Sequence, residues 1–106
     1  MKRLLSMGIL VLLFAPTLHA ETRAYPVPWV AKDNTDIVFT DLPGAGSIKI
    51  FTVSGEEVTT LPIAQGQNQL HWSVVNSSGR KLSSGVYFYL VDGNGGETKG
   101  KLVVIR

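Results

Sequence analysis

Short apolar segments separated by glycine, proline and asparagine turns make up the sequence beyond residue 20 and constrain its fold most strongly. The segments are rich in Val, Ile, Thr, Tyr and Phe, which are enriched in strands, and they carry almost no helical period. About seven segments recur at intervals of roughly 8–12 residues, which is typical of an antiparallel sandwich or a small barrel. We therefore expect one all-β domain.

Turn residues set the expected limits of these strands. Residues 21–35 are expected to form an extended lead-in with an edge strand, because Pro26 and Pro28 cannot donate to a β-ladder. Pro62 is expected to end the strand that precedes it. The run 86–91 is apolar at both parities, which predicts a central strand covered on both faces. The domain itself is expected over 36–106, with strands at 36–41, 47–53, 57–61, 69–74, 86–91 and 99–105.

The first twenty residues predict a secretory signal peptide. Lys2 and Arg3 form a basic start, residues 4–14 are mostly apolar, and Ala20 supplies the small residue of a cleavage site. The apolar run is shorter than the roughly 20 residues that a membrane-spanning helix needs. We expect cleavage after Ala20, a mature chain without a transmembrane segment, and export to the periplasm, cell surface or extracellular space. The alternative is a retained N-terminal anchor.

Charge and cysteine content narrow the function classes. Loss of Lys2 and Arg3 lowers the ten basic residues to eight, which equals the eight acidic residues, all beyond residue 20. A neutral mature chain is not expected to bind nucleic acid. The sequence contains no cysteine, which excludes disulfides, thiolate metal sites and a cysteine nucleophile. Apolar burial must therefore stabilise the domain.

Alternation along the strands predicts which side chains fill the core. Trp72 is the largest of them and can bury about 200 Å². Gly55, Gly79 and Gly85 lie where a hairpin, a turn and a strand start favour a permissive backbone. The predicted core residues are Phe39, Ile48, Ile50, Val58, Leu70, Trp72, Tyr87, Tyr89, Leu102 and Val104.

Several motifs in order resemble the immunoglobulin-like module of the flagellar hook-capping protein and, more closely, type IX secretion C-terminal sorting domains. The segment Tyr25-Pro26-Val27-Pro28-Trp29 is similar to a Tyr-Pro-Asn-Pro-aromatic motif, although Val27 replaces the usual Asn. The other matching pieces are Phe39-Thr40-Asp41-Leu42-Pro43, the hairpin at 48–58, Trp72, the turn at 76–82, the run at 84–89 and the closing strand at 101–106.

This resemblance implies an immunoglobulin-like, fibronectin III-like antiparallel β-sandwich of about seven strands. It implies a non-catalytic role in protein–protein interaction, surface attachment or secretion sorting, with a protein partner or the secretion machinery as the binding partner. Such modules usually terminate a much larger protein. The chain is therefore either a free-standing module or the remnant of a longer protein.

The residue types give no pattern of an enzyme or a metal site. His71 is the only histidine after residue 20, its parity directs it to solvent, and spacing supplies no partner for base catalysis. Residues 92–97 faintly resemble a calcium loop, but Gly96 holds the fifth position and Glu97 the sixth, so a hairpin tip is favoured. We expect no catalytic residue, cofactor or metal.

Trp29 and Phe51 are candidate binding-surface residues, because the sequence does not assign them to the core. The favoured alternative is that they pack against the sandwich, since most large aromatic side chains are covered. A small carbohydrate-binding module that uses Trp29 is one alternative function. A role in flagellar hook assembly is another, although the assembly segment of the hook-capping protein is missing. A small hydrolase is disfavoured by the missing side-chain constellation.

Overall fold

The computed structural model describes residues 21–94 and 96–106, which form eight β-strands in two sheets. The signal peptide predicted at 1–20 lies outside the described residues. No helix in the described part of the chain has the length and hydrophobicity to cross a membrane. The strands are β1 (Arg23–Tyr25), β2 (Trp29–Val30), β3 (Ile37–Thr40), β4 (Gly44–Thr52), β5 (Glu57–Gln67), β6 (Leu70–Trp72), β7 (Gly85–Gly93) and β8 (Gly96–Ile105).

The two sheets form a sandwich, so the predicted all-β fold is confirmed. One sheet has three strands in the order β1-β3-β6, and the other has five in the order β2-β8-β7-β4-β5. Neighbouring strands are antiparallel except β2 and β8, which pair in parallel with Trp29 beside Val104. The N-terminal lead-in therefore contributes one strand to each sheet.

The prediction that Pro62 ends its strand is wrong. β5 continues through Pro62, which pairs with Ser47, to Gln67, which pairs with Gly44. β5 is the outermost strand of the five-stranded sheet, and an edge strand tolerates proline when its nitrogen faces away from the ladder. The same pairing starts β4 at Gly44, three residues before the expected start.

The prediction that residues 86–91 are covered on both faces is also wrong. β7 is central in its sheet, but its burial alternates: Tyr87, Tyr89 and Val91 are buried, whereas Val86 and Phe88 are 39% and 42% exposed. The three-stranded sheet covers only the inner face of the five-stranded one. Apolar residues of the other parity therefore face outwards.

The core fills the space between the two sheets. Of the predicted core residues, all but Val58 and Leu70 are buried, and these two are half-buried and pack against the cluster. Buried hydrophobic residues that the predicted set omitted lie on the lead-in, on β3, β5 and β7, and in the connections between strands: Trp29, Ile37, Leu42, Ile63, Val74, Leu82 and Val91.

Aromatic contacts join the two sheets. Phe39 packs edge-to-face on Tyr89 with ring centroids 5.3 Å apart, and its centroid lies 6.4 Å from that of Trp72. The Trp72 indole Nε1 donates a hydrogen bond to the Val75 carbonyl at 3.1 Å, and Tyr87 Oη donates to the Ser83 carbonyl at 2.9 Å. The polar atoms of Trp72 and Tyr87 are therefore paired, as burial requires.

The predicted glycine turns lie at connections between strands. Gly55 and Gly79 adopt φ values of +90° and +81°, and Gly85 begins β7. The Gly79 amide donates to the Asn76 carbonyl at 2.9 Å, while Asn76 Oδ1 accepts hydrogen bonds from the amides of Ser78 and Arg80. Asn76 thus closes its turn with its own side chain, as asparagine commonly does.

Alkaline pH is expected to destabilise the domain through Tyr89. Burial, and secondly the charge of Glu21, raises the pKa of Tyr89 above its usual value. The unfolded phenol loses its proton first, so the stabilisation is complete below a pH of about 10 and is lost as the pH rises through the folded pKa. Urea unfolding at several pH values should show a steeper alkaline loss for the native protein than for Tyr89→Phe. Equal losses would contradict this account.

Candidate interaction surface

The outer face of the five-stranded sheet includes three rows of cross-strand neighbours that carry its aromatic and charged residues. Residues paired across antiparallel strands project to the same side, so each row is a set of neighbouring side chains. The rows, read from β4 through β7 to β8, are Phe51–Phe88–Lys101, Lys49–Leu90–Lys99 and Ser47–Asp92–Glu97. We call the first two rows together the lysine–aromatic face.

The lysine–aromatic face combines exposed apolar area with positive charge. Phe88 is exposed, and Phe51, Leu90 and Lys49 are half-buried. Lys99 and Lys101 are exposed on β8. A shallow depression is lined by these aromatic, leucine and β8 lysine side chains together with Tyr89 and Gly100. An apolar patch bordered by charge is typical of protein–protein contact surfaces.

The third row reverses the sign of the charge. Asp92 and Glu97 are exposed and lie where β7 and β8 approach their hairpin tip. The face therefore runs from an apolar, positively charged region to a negatively charged end. Such a pattern can orient a partner as well as attract it.

The two predicted binding-surface residues have different environments. Phe51 lies on the lysine–aromatic face, opposite Phe88. Trp29 is only 3% exposed, which corrects the idea that it offers an aromatic binding surface. Its pairing beside Val104 turns the indole towards the core, and the guanidinium carbon of Arg106 lies 4.9 Å from the ring centroid. Cation–π packing of this kind covers the ring further.

Ionisable side chains do not converge in the described residues. His71 Nδ1 lies 3.6 Å from Asp36 Oδ2, and both side chains are substantially exposed. Residues 21–94 and 96–106 contain no group of three His, Cys, Asp or Glu side chains with the geometry of a metal site. Residues 92–94 and 96–97 lie at the end of the β7–β8 hairpin, where Asn94 adopts φ +48° and its side-chain amide donates to the Pro43 carbonyl.

Sequence reasoning missed most of the lysine–aromatic face. Phe88 and Leu90 were assigned to a covered strand, and Lys49, Lys99 and Lys101 received no role. A usable signal was present: Lys49 alternates with the buried Ile48 and Ile50, and the β8 lysines alternate likewise with Leu102. Lysines at one parity of neighbouring strands indicate a solvent face, even where an intervening strand is apolar.

Comparisons with known proteins agree with this architecture. Residues 23–105 match the family described as the secretion system C-terminal sorting domain. No curated protein sequence matches the chain. The fold is similar to part of PorZ, an essential bacterial surface component of the type IX secretion system of Porphyromonas gingivalis, with a TM-score of 0.66 and 22% identity over 80% of this chain.

Dimeric latent PorU from the same organism gives a second match. Its TM-score is 0.60, with 22% identity over 79% of this chain. The aligned parts amount to only 11% of the PorZ chain and 9% of the PorU chain. These likenesses establish the sandwich fold.

Proposed function

Since the chain belongs to the family of secretion system C-terminal sorting domains, we propose that it is a non-catalytic module that a type IX secretion machinery recognises. The family match covers residues 23–105, which include every strand of both sheets. This extent supports recognition of the folded sandwich rather than of a short linear signal. The predicted signal peptide would first carry the chain across the inner membrane.

The lysine–aromatic face is the surface that best supports recognition. Its exposed Phe88 is the observation on which this assignment rests, because a phenylalanine on a central strand is not required to close the core. Aromatic residues dominate binding energy when a partner buries them, and neighbouring charges set orientation. A module of this kind directs its protein to the cell surface or the extracellular space.

Serine at position 88 is expected to impair export without unfolding the domain. Phe88→Ser removes an exposed aromatic ring, and loss of a binding hot spot commonly costs about 2 kcal/mol or more, a fall of roughly 30-fold in affinity. The tagged chain should therefore accumulate in the periplasm of its host. Cell fractionation followed by immunoblotting measures the ratio of surface or medium protein to periplasmic protein.

Val53→Ser is the matched control. Val53 is 67% exposed but lies in the β4–β5 turn, outside the two rows that make up the lysine–aromatic face. It should be exported like the native chain, and thermal melts should show that both variants fold. Normal export of a folded Phe88→Ser variant would exclude this face as the sorting surface.

A further inference from the structure

Backbone groups at one side of β8 point away from β7. The β7–β8 hairpin pairs Gly93 with Gly96, and in an antiparallel ladder alternate residues direct their N–H and C=O groups towards or away from the partner. The Ile105 carbonyl accepts a hydrogen bond from the Ala31 amide at 2.9 Å. The backbone N–H and C=O groups of odd-numbered β8 residues therefore point away from β7, in the plane of the sheet. Glu97, Lys99 and Lys101 share this parity.

These three residues form an open edge. β2 pairs with β8 only at Val104 and Ile105, and β1 approaches β8 without pairing with it, so no strand among the described residues is hydrogen-bonded to the outward side of residues 97–101. Nor does any backbone hydrogen bond found in that part of the chain join them to a loop. An edge of this kind is a template for another strand.

The opposite edge of the same sheet is more obstructed than the edge of β8. On β5 the Val58 carbonyl accepts a hydrogen bond from the Ser77 amide at 3.2 Å, and the Ala64 amide donates to Gln67 Oε1 at 2.8 Å. Pro62, between them, has no N–H to offer. Three of the four alternate positions from 58 to 64 are therefore blunted within the chain itself, and Thr60 is the exception.

Charge on the open edge indicates what it accepts. Lys99 and Lys101 project onto the lysine–aromatic face from the strand that a partner would lie against, with Lys49 two strands away. Opposite charges paired across strands stabilise a sheet, whereas like charges destabilise it. A second copy that paired antiparallel about Lys99 would set Glu97 against Lys101 twice but Lys99 against its own counterpart, whereas a segment with carboxylates opposite Lys99 and Lys101 meets no like charge at either lysine. Carboxylates are the complementary groups.

We propose that the open edge binds an extended acidic segment of a protein partner by strand addition. The outward N–H and C=O groups of Glu97, Lys99 and Lys101 pair with the partner backbone, and its carboxylates contact the two lysines. An anionic membrane offers no matching row of backbone groups, and Glu97 and Asp92 repel it at one end. The proposal stands on the edge geometry, whether or not the lysine–aromatic face sorts the protein.

Two designed nine-residue peptides test the proposal, one alternating Glu with Val and the other alternating Lys with Val. They are added to the isotopically labelled protein in the form recovered from its host, and amide exchange is followed by NMR. The acidic peptide should slow exchange at Lys99 and Lys101 by at least about tenfold once most of the protein is bound. The basic peptide should not. A Lys99→Glu/Lys101→Glu variant should reverse this preference.

Several results would overturn the proposal. Equal protection by both peptides would show that charge does not select the partner. Protection that maps to β5 would show that β8 is not the binding edge. No protection at millimolar acidic peptide would reject strand addition. Binding to phosphatidylglycerol vesicles without protection by the acidic peptide would identify a lipid surface instead. Export of the charge-reversed variant, measured separately, shows whether sorting depends on this edge.

Discussion

Replacing Trp72 with alanine is expected to lower the free energy of unfolding by about 3–5 kcal/mol. The indole is 4% exposed, lies next to Phe39 and donates its N–H to the Val75 carbonyl. Alanine leaves a cavity between the two sheets and an unpaired carbonyl at its margin. Because small domains have only about 5–15 kcal/mol of stability, this loss is a large part of the total. Urea unfolding followed by circular dichroism measures it.

His71→Ala is the matched control for this experiment. His71 precedes Trp72 on β6 and points to the opposite side, with 59% of its side chain exposed. Its replacement should change stability by no more than about 0.5 kcal/mol. A loss below about 1 kcal/mol for Trp72→Ala would show that the indole is not a core residue.

Alanine at position 46 is expected to cost about 2–4 kcal/mol. Gly46 adopts φ +119°, and a Cβ there would collide with the Asp92 carbonyl of the neighbouring strand. A Cβ added at Gly93, on β7, would likewise collide with the Ala45 carbonyl of β4. Backbone atoms cannot rotate aside as a flexible side chain can, so the two strands must separate where β4 begins. Chemical unfolding of Gly46→Ala measures this penalty.

Gly44→Ala is the control that separates the cost of the steric collision from the cost of the backbone conformation. Gly44 is also in the left-handed half of φ, at +89°, but a Cβ there meets nothing within 4 Å. It should therefore cost only the conformational part, about 1–2 kcal/mol. If both alanine variants lose the same stability, the close approach of β4 to β7 is not what requires glycine at position 46.

Local chemistry was enough to predict most of the strands and several of their turns. Val, Ile and aromatic residues identified β3, β4 and β7, and Asn76 with Gly79 marked a turn that the structure contains. These features depend on backbone preferences over a few residues. The class of fold followed from them.

Burial was harder to predict because it depends on what covers each face. The run 86–91 is apolar at both parities, yet only one face of β7 has a sheet packed on it. Pro62 continues its strand because β5 lies at an edge, which sequence periodicity does not reveal. Trp29 is buried through a parallel contact with residue 104, seventy-five positions away. Such long-range pairings carry little local signal.

The candidate site was predicted only at Phe51. Its partners Phe88 and Leu90 were assigned to the interior for the reason just given, so the cluster was not recognised as a surface. The open edge of β8 depended on the register of the terminal hairpin and on how far β2 extends, and neither can be read from residue types.

The parallel contact between β2 and β8 also sets when the domain can be completed. Residues 29–30 must wait for residues 104–105 before they acquire their ladder partner. Trp29 therefore stays without its ladder partner until the terminal hairpin has formed. Closure of such a distant loop slows folding. We expect β2 to be the last strand to join its sheet.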